Sequence, residues 1–321
     1  MRQYLDIVKN VLDNGVMKGN RTGTRALTTF CEIFRHDMTD GFPLLTTKKM
    51  YTRGVAVELE GFIGGITDKK WYQERKCRIW DSWGNPEKVE QTIQDNESPF
   101  GGFIDRNSEL AREIQKEEMD LGPIYGYQWR HFDEHYGDVP EQCETLDGSG
   151  FDHDYNGVEC GADQLKNVIN TLKTNPDDRR MVVSAWNPNQ THLMALPPCH
   201  YAFTLVHING VLNLSWKQRS VDTILGLSFN IASYALLLLL LCREANLIPG
   251  ELVGILEDCH IYENQIDGAK EQLSRSPLAL PTVGLLVPVE SDFNIFNWTH
   301  NDIEILDYNS HPKIDFGPVA V

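Results

Sequence analysis

Paired cysteine spacing, positive charge and long apolar runs are all scarce in this sequence, and each scarcity excludes something. The seven cysteines, Cys31, Cys77, Cys143, Cys160, Cys199, Cys242 and Cys259, are odd in number and never arranged as C-x-x-C, so neither a disulfide framework nor a zinc site is indicated. Most of them should be small buried hydrophobes. Lys and Arg number 29 against 46 Asp and Glu, and the formal net charge of -17 repels nucleic acid and anionic membranes at long range. Any anionic ligand must therefore be met by a local cluster of basic side chains. The most apolar run, Ile231 to Cys242, stops at Arg243 after twelve residues, short of the roughly 18–20 that span a bilayer. It reads as a helix buried on all sides. No repeat or low-complexity tract is visible.

What is present is an ordinary globular composition, 41% hydrophobic and 23% charged, in 321 residues, a length that allows one large domain or two. The opening "MRQYLDIVKNVLDNG" has the apolar spacing of an amphipathic helix, with charges throughout, and does not read as a secretion signal. "TRGVAVELEGFIGG" reads as a helix closing at glycines, and "ADQLKNVINTLKTNPDDRR" as one ending in a turn. "MVVSAW", "HYAFTLVHI" and "VLNLSWKQRS" are strand-like, the last two joined by a hairpin turn at Asn209-Gly210. From Asn85 to about Gly161 the composition turns polar, acidic and Gly-rich, as expected of a smaller inserted lobe, with "LGPIYGYQWRHF" as an ordered island. Hairpins mixed with long helices point to an α+β fold.

One cysteine has a distinctive setting. In "ALPPCH" two prolines remove two backbone donors and fix φ, so Cys199 is aimed by a rigid turn. On the hexapeptide alone it is equally a nucleophile or a small buried filler. A thiolate also needs a cation nearby, and a hairpin could bring Arg219 of "KQRSVD" beside it. Arg21, Arg179, Arg180 and Arg219 stand in turn-like or strand-end contexts beside Thr, Ser, Asp or Gly, a setting that presents planar forks to phosphate. Taken alone, the pair in "DDRR" reads first as a solvated turn with Asp177 and Asp178 as partners.

Together these pieces resemble the thymidylate synthase family over nearly the whole chain. The resemblance is carried by "RTGT", "DGFPLLTTKK", "IWDSW", "LGPIYGYQWRHF", "NPDDRRMVVSAWNP", "MALPPCH", "QRSVDTILGLSFNIASYALL", "DCHIY" and the end "PVAV", in the family order. It implies an enzyme that transfers the one-carbon unit of 5,10-methylenetetrahydrofolate to C5 of dUMP, with no metal. Cys199 is similar to the nucleophile that adds to C6 of the uracil, Glu58 to a glutamate that relays protons through water, and Tyr125 to a tyrosine assisting removal of the C5 proton. His200 is similar to a histidine beside the nucleophile. For the nucleotide, Arg21, Arg179, Arg180, Arg219 and Ser220 match the phosphate site, and His260 and Tyr262 match contacts to the ribose 3'-hydroxyl. Asn230 matches the residue that reads the base edge; family members acting on cytosine carry Asp there. For the folate, Trp80, Asp222, Leu225 and Phe229 match the pterin and aminobenzoyl pocket, Lys48 the glutamyl tail, and the tail ending at Val321 a segment that closes over the site.

The chain departs from the family pattern at clustered positions. Where the family has "ELLWF" after the catalytic position, this chain has Glu60 and Gly61, and the lost indole would leave space that water could enter. Glu58 and Glu60 lie about 200° apart on a helix, so Glu60 should be a solvated or interface charge. Ser228 replaces a usual Pro, Glu257 a usual Gly, Gln265 a usual His, and Lys217 a common aromatic. Two alternatives to a synthase follow. One is a dUMP hydroxymethylase, of the kind viruses use to modify DNA, which quenches the same methylene intermediate with water; the other is a catalytically silent homologue that binds nucleotide or RNA.

The resemblance also implies a single α+β domain over residues 1–321 with an inserted acidic lobe at about 85–161. Its core would be a large twisted mixed sheet with flanking helices and a buried central helix. The sheet's outer face would form a homodimer, across which Arg179 and Arg180 reach the partner's phosphate site. A cytoplasmic location is expected, the host cytoplasm if the source is viral, with neither nucleic acid nor membrane as partner.

Overall fold

In a computed structural model of the chain, residues 1–20, 23–97, 104–136, 161–286 and 293–317 are described. Arg21, the tail from Pro318 to Val321, Cys143, Cys160 and much of the acidic insertion lie outside them. In chain order the elements are α1 (Arg2–Asn14), β1 (Val16–Lys18), β2 (Ala26–Asp37), α2 (Thr52–Ile63), α3 (Lys69–Glu74), α4 (Pro86–Asn96), α5 (Glu109–Glu117) and α6 (Tyr125–Arg130). There follow α7 (Gln164–Thr174), β3 (Val182–Ser184), β4 (His200–Ile208), β5 (Val211–Asp222), α8 (Leu227–Ala245), β6 (Ile248–Tyr262), α9 (Ile266–Ser274), β7 (Thr282–Leu285) and β8 (Ile303–Leu306). The fold is α+β: a six-stranded sheet in the order β1-β2-β6-β5-β4-β3, mixed because β5 and β6 run parallel while β1–β2, β2–β6 and β4–β5 are antiparallel. β7 and β8 form a separate antiparallel pair.

The chain divides into two compact units. Unit 1 holds Met1–Leu59, Ile169–Val182 and Cys199–Val321. Its α1 buries Tyr4, Ile7, Val8 and Val11, the spacing that one helical face requires. The β4–β5 hairpin turns at Asn209 (φ 51°) and Gly210 (φ 85°), the two left-handed residues a tight two-residue turn demands. Along β5 burial alternates, so Leu212, Leu214, Trp216 and Gln218 face inward. The helix expected from the apolar run is longer than the run: α8 has 19 residues and meets the length and composition of a membrane span. Its side chains from Ile231 to Leu238 are all buried inside the unit, where they supply core apolar surface.

Unit 2 holds Glu60–Val168 and Val183–Pro198. Within it α4 begins with Pro86 behind Asn85, whose Oδ1 accepts from the amide of Glu87 at 3.0 Å, and α5 begins behind Ser108, whose Oγ accepts from Ala111 N at 3.2 Å. The two helices share a small core of Ile93, Ala111 and Ile114. Lys69, fully buried, spends its ammonium on the carbonyls of Trp83 (2.8 Å) and Lys116 (2.7 Å), which gives a buried cation the partners it needs at the end of α5.

Candidate active site

Directly after Pro197-Pro198 in the chain, Cys199 opens the last segment of unit 1 at the head of β4, half-buried and not disulfide-bonded. The hairpin brings Arg219 alongside, and its amide donates to the Cys199 carbonyl at 2.9 Å. The next residue, His200, is buried, with Nδ1 at 3.0 Å from the Tyr234 hydroxyl. Burial lowers its pKa to about 3, so the imidazole is neutral at physiological pH. Tyr234 stacks on Trp216, ring centroids 5.2 Å apart.

Asn230, the residue expected to read the base, is oriented by a chain of donors. Trp216 Nε1 can only donate, and it donates to Gln218 Oε1 at 3.1 Å. The amide nitrogen of Gln218 is thereby turned to Asn230, donating to Oδ1 at 3.0 Å. Asn230 consequently presents its amide nitrogen away from Gln218. Asn230 and the half-buried Phe229 lie in the first turn of α8, with half-buried Leu225 just before it. Ser228, in the same turn, is buried with a hydroxyl that has no partner among the described residues.

Asp222 ends β5 and is fully engaged. Its Oδ1 accepts from the amides of Ile224 (3.0 Å) and Leu225 (2.9 Å), and its Oδ2 from Gln265 Nε2 (3.0 Å). Gln265 also accepts from the amide of Tyr262 at 3.1 Å, so one buried carboxamide joins Asp222 to Tyr262. His260 Nδ1 lies 3.1 Å from Asp258 Oδ1, and its ring meets that of Tyr262 edge-on at 5.0 Å. Ser220 offers its carbonyl to Gln218 Nε2 at 3.1 Å. Lys48 points inward, donating to the Ile224 carbonyl at 2.5 Å with Nζ 5.0 Å from the Phe316 ring centroid. Burial lowers its pKa to about 8. Glu58 is buried on α2.

Arg179 and Arg180 are exposed. Arg180 forms a fork with Asp178, Nε to Oδ1 at 3.0 Å and Nη2 to Oδ2 at 2.6 Å, while Asp177 pairs with His207 at 2.8 Å. The Arg180 bonds hold the Asp178 carboxyl well below the usual range.

Unit 2 holds an aromatic group of its own. Phe62 stacks on Tyr125 (5.0 Å) and meets Trp80 (6.4 Å) and Trp129 (5.7 Å) edge-on; Trp80 and Tyr125 are 5.9 Å apart. Trp80 Nε1 is buried with no partner among the described residues. Glu60 is not the solvated charge its helical position suggests. Its side chain is mostly buried and faces Arg75 at 3.8 Å, and the Arg75 guanidinium lies 3.8 Å from the Trp71 ring centroid. The space expected at Gly61 is filled: a Cβ there would come within 2.4 Å of the Tyr72 ring and hydroxyl. Two other departures also gain partners. Lys217 Nζ donates to Thr204 Oγ1 at 2.8 Å, and Tyr201 donates its hydroxyl to Glu257 at 3.2 Å.

Four residues of these networks, Gln218, Gln265, Tyr234 and Tyr72, were not singled out as site residues from sequence. Two left a signal there: Gln218 by its inward parity with Trp216 two residues earlier on β5, and Gln265 as a departure from the family's usual His.

The chain is similar to known proteins over nearly its whole length. A family model described as thymidylate synthase matches residues 2–321. The chain is 40% identical over 321 residues to the thymidylate synthase of Mycoplasma pneumoniae, covering all of both chains. It is 40% identical over 313 residues to a bifunctional dihydrofolate reductase-thymidylate synthase of Paramecium tetraurelia, covering 98% of this chain and 60% of that protein. With a bifunctional enzyme of Arabidopsis thaliana it shares 40% over 312 residues, 97% of this chain and 49% of the relative, so it spans about half to three fifths of these two proteins. The hydroxymethylase alternative finds no support among these names. The chain belongs to the thymidylate synthase family.

Proposed function

We propose that this protein is a thymidylate synthase, converting dUMP and 5,10-methylenetetrahydrofolate to dTMP and dihydrofolate. The observation that carries the reading is a tie through β5. Its consecutive residues Gln218 and Arg219 bond, respectively, the side chain of Asn230 and the carbonyl of Cys199, so one strand registers the base-reading carboxamide and the thiol together.

In this reading the Cys199 thiolate adds to C6 of the uracil, and C5, now carbanion-like, attacks the one-carbon unit. Glu58 handles protons through water, Tyr125 assists loss of the C5 proton, and neutral His200, tied to Tyr234, supports the base site. Hydride transfer from the folate to the exocyclic methylene, with expulsion of Cys199, completes dTMP. Arg21, Arg219 and Ser220 hold the phosphate, joined by Arg179 and Arg180 of a partner subunit; their exposure in the single chain supports that sharing. His260 and Tyr262 hold the ribose. The folate is assigned by the family resemblance to Trp80, Leu225, Phe229 and Asp222; within unit 1 the half-buried Leu225 and Phe229 and the fixed carboxylate of Asp222 support that reading. The family resemblance assigns Lys48 and the tail through Val321 to the folate as well.

A homodimer through the sheet is supported by apolar side chains left in solvent on its strands, Phe30 (84% exposed), Ile33 (62%) and Ile248 (61%). The chain is read as a single domain carrying an acidic lobe, working in the cytoplasm. The test is to incubate it with both substrates and weigh the nucleotide. The mass of dTMP, with dihydrofolate formed, is expected; a product one oxygen heavier with tetrahydrofolate, or turnover surviving Cys199→Ala, would overturn the reading.

A further inference from the structure

Gly61 and Tyr72 occupy one another's space. The Tyr72 ring is fully buried against the Gly61 Cα, where a Cβ would meet Cε1 and the hydroxyl oxygen at 2.4 Å and Cζ at 2.6 Å. Two hydrogen bonds run through Ile66 to close the contact: Ile66 N donates to the Gly61 carbonyl at 2.8 Å, and the Tyr72 hydroxyl donates to the Ile66 carbonyl at 3.1 Å. The next residue is Phe62, whose backbone is pressed by Gly126 so closely that a Cβ on Gly126 would fall 2.3 Å from the Phe62 Cα. Gly126 adjoins Tyr125, and Tyr125 stacks on the Phe62 ring. Contacts therefore run without a gap from Tyr72 through Gly61 and Phe62 to Tyr125 and Trp80.

We infer that Tyr72 is a positioning residue for the chemistry: it replaces the bulk missing at Gly61, fixes the last turn of α2, and keeps the Phe62–Trp80–Tyr125 group closed to water. The inference rests on the reaction proposed above. There, hydride adds to the exocyclic methylene carbon, the folate is oxidised to dihydrofolate, and the Cys199 thiolate leaves as the C5–C6 double bond re-forms. If water reaches the same carbon, its oxygen adds, one of its protons passes to solvent, the thiolate leaves in the same way, and tetrahydrofolate departs unoxidised. In this inference packing at Tyr72 biases the intermediate toward the hydride product by keeping water out.

The test compares the wild-type chain with Tyr72→Leu, Tyr72→Phe, Gly61→Ala and the double variant Gly61→Ala/Tyr72→Leu, reading melting temperature and the mass of the nucleotide product. Tyr72→Leu should raise the ratio of hydroxymethyl-dUMP to dTMP roughly tenfold, the factor that about 1.4 kcal/mol of lost discrimination gives. Tyr72→Phe keeps the ring and should keep the wild-type ratio. Gly61→Ala should melt lower because its Cβ meets the ring. The double variant should recover both melting temperature and product ratio toward wild type; if Tyr72→Leu does not accumulate folded, Tyr72→Met takes its place, with the same raised ratio expected and a wild-type ratio overturning the inference. Strictly additive effects, or a wild-type ratio in a folded Tyr72→Leu, would overturn the inference. Wild-type protein that makes no dTMP would instead overturn the functional reading, a result separable from the variants because it appears before any substitution.

Discussion

Gln218 Nε2 donates to Asn230 Oδ1 at 3.0 Å, and the indole of Trp216, donating to Gln218 Oε1, leaves that carboxamide no other orientation. The amide nitrogen of Asn230 is therefore committed as a donor, which suits a carbonyl on the base edge and not an exocyclic amine. Asn230→Asp keeps the acceptor for Gln218 and replaces the donor with an oxygen. Its kcat/KM for dUMP should fall on the order of 10²-fold or more, while dCMP becomes a substrate for adduct formation. Steady-state kinetics with both nucleotides check this; unchanged discrimination would contradict the assigned orientation.

The Gln265 link from Asp222 to Tyr262 uses one donor and one acceptor, and neither titrates. A neutral imidazole can supply the same pair, but a protonated one is donor-only and cannot accept from Tyr262 N. Gln265→His should therefore work near wild-type rate at high pH and lose activity as pH falls through about 6.5 or somewhat above, where Asp222 favours the imidazolium. The wild-type profile should lack that limb. Parallel pH–rate profiles decide it.

Lys48 carries a stability signature of defined sign. Burial lowers its folded pKa to about 8, below the ordinary lysine value of 10.5. Between those values the unfolded chain binds the proton and the folded chain does not, so the cost of burying the ammonium is fully present below pH 8 and is relieved as pH rises toward 10.5. Urea midpoints measured from pH 7.5 to 10 should rise for the wild type relative to Lys48→Met, by about 2–4 kcal/mol across the full window. Parallel curves would show that the ammonium is not buried.

Cys31 interrupts β2 at φ 61°, skipped in the ladder between the Phe30–Asp258 and Glu32–Leu256 pairs. A left-handed non-glycine costs about 1–2 kcal/mol, and glycine loses roughly 0.5–1 kcal/mol more chain entropy on folding. The first effect wins. Cys31→Gly should stabilise by about 0.5–1 kcal/mol in chemical denaturation at fixed protein concentration, with no change in turnover.

Much of the local structure was legible because its causes are local. The i, i+3, i+4 spacing of Tyr4, Ile7 and Val8 gives α1, Asn209-Gly210 gives the hairpin, and the hairpin brings Arg219 to Cys199. The limits of α8 were not, since the apolar run marks what the helix buries and not where its hydrogen bonds end. The partner of Glu60 was not legible for a related reason. Helical phase excludes it from the face of Glu58 but says nothing of Arg75, which α3 and the turn after it carry back to meet it.

By itself the sequence determined the family, the rigid delivery of Cys199 by two prolines, and the strands and helices whose signals lie within a few residues. Tertiary structure alone decided what surrounds them: Tyr72 against Gly61, Gln265 between Asp222 and Tyr262, and Lys48 turned to the Ile224 carbonyl. The physical reason is range. Backbone propensity acts between neighbours in the chain, whereas close packing and the pairing of buried polar groups are settled among side chains that only the folded chain brings into contact.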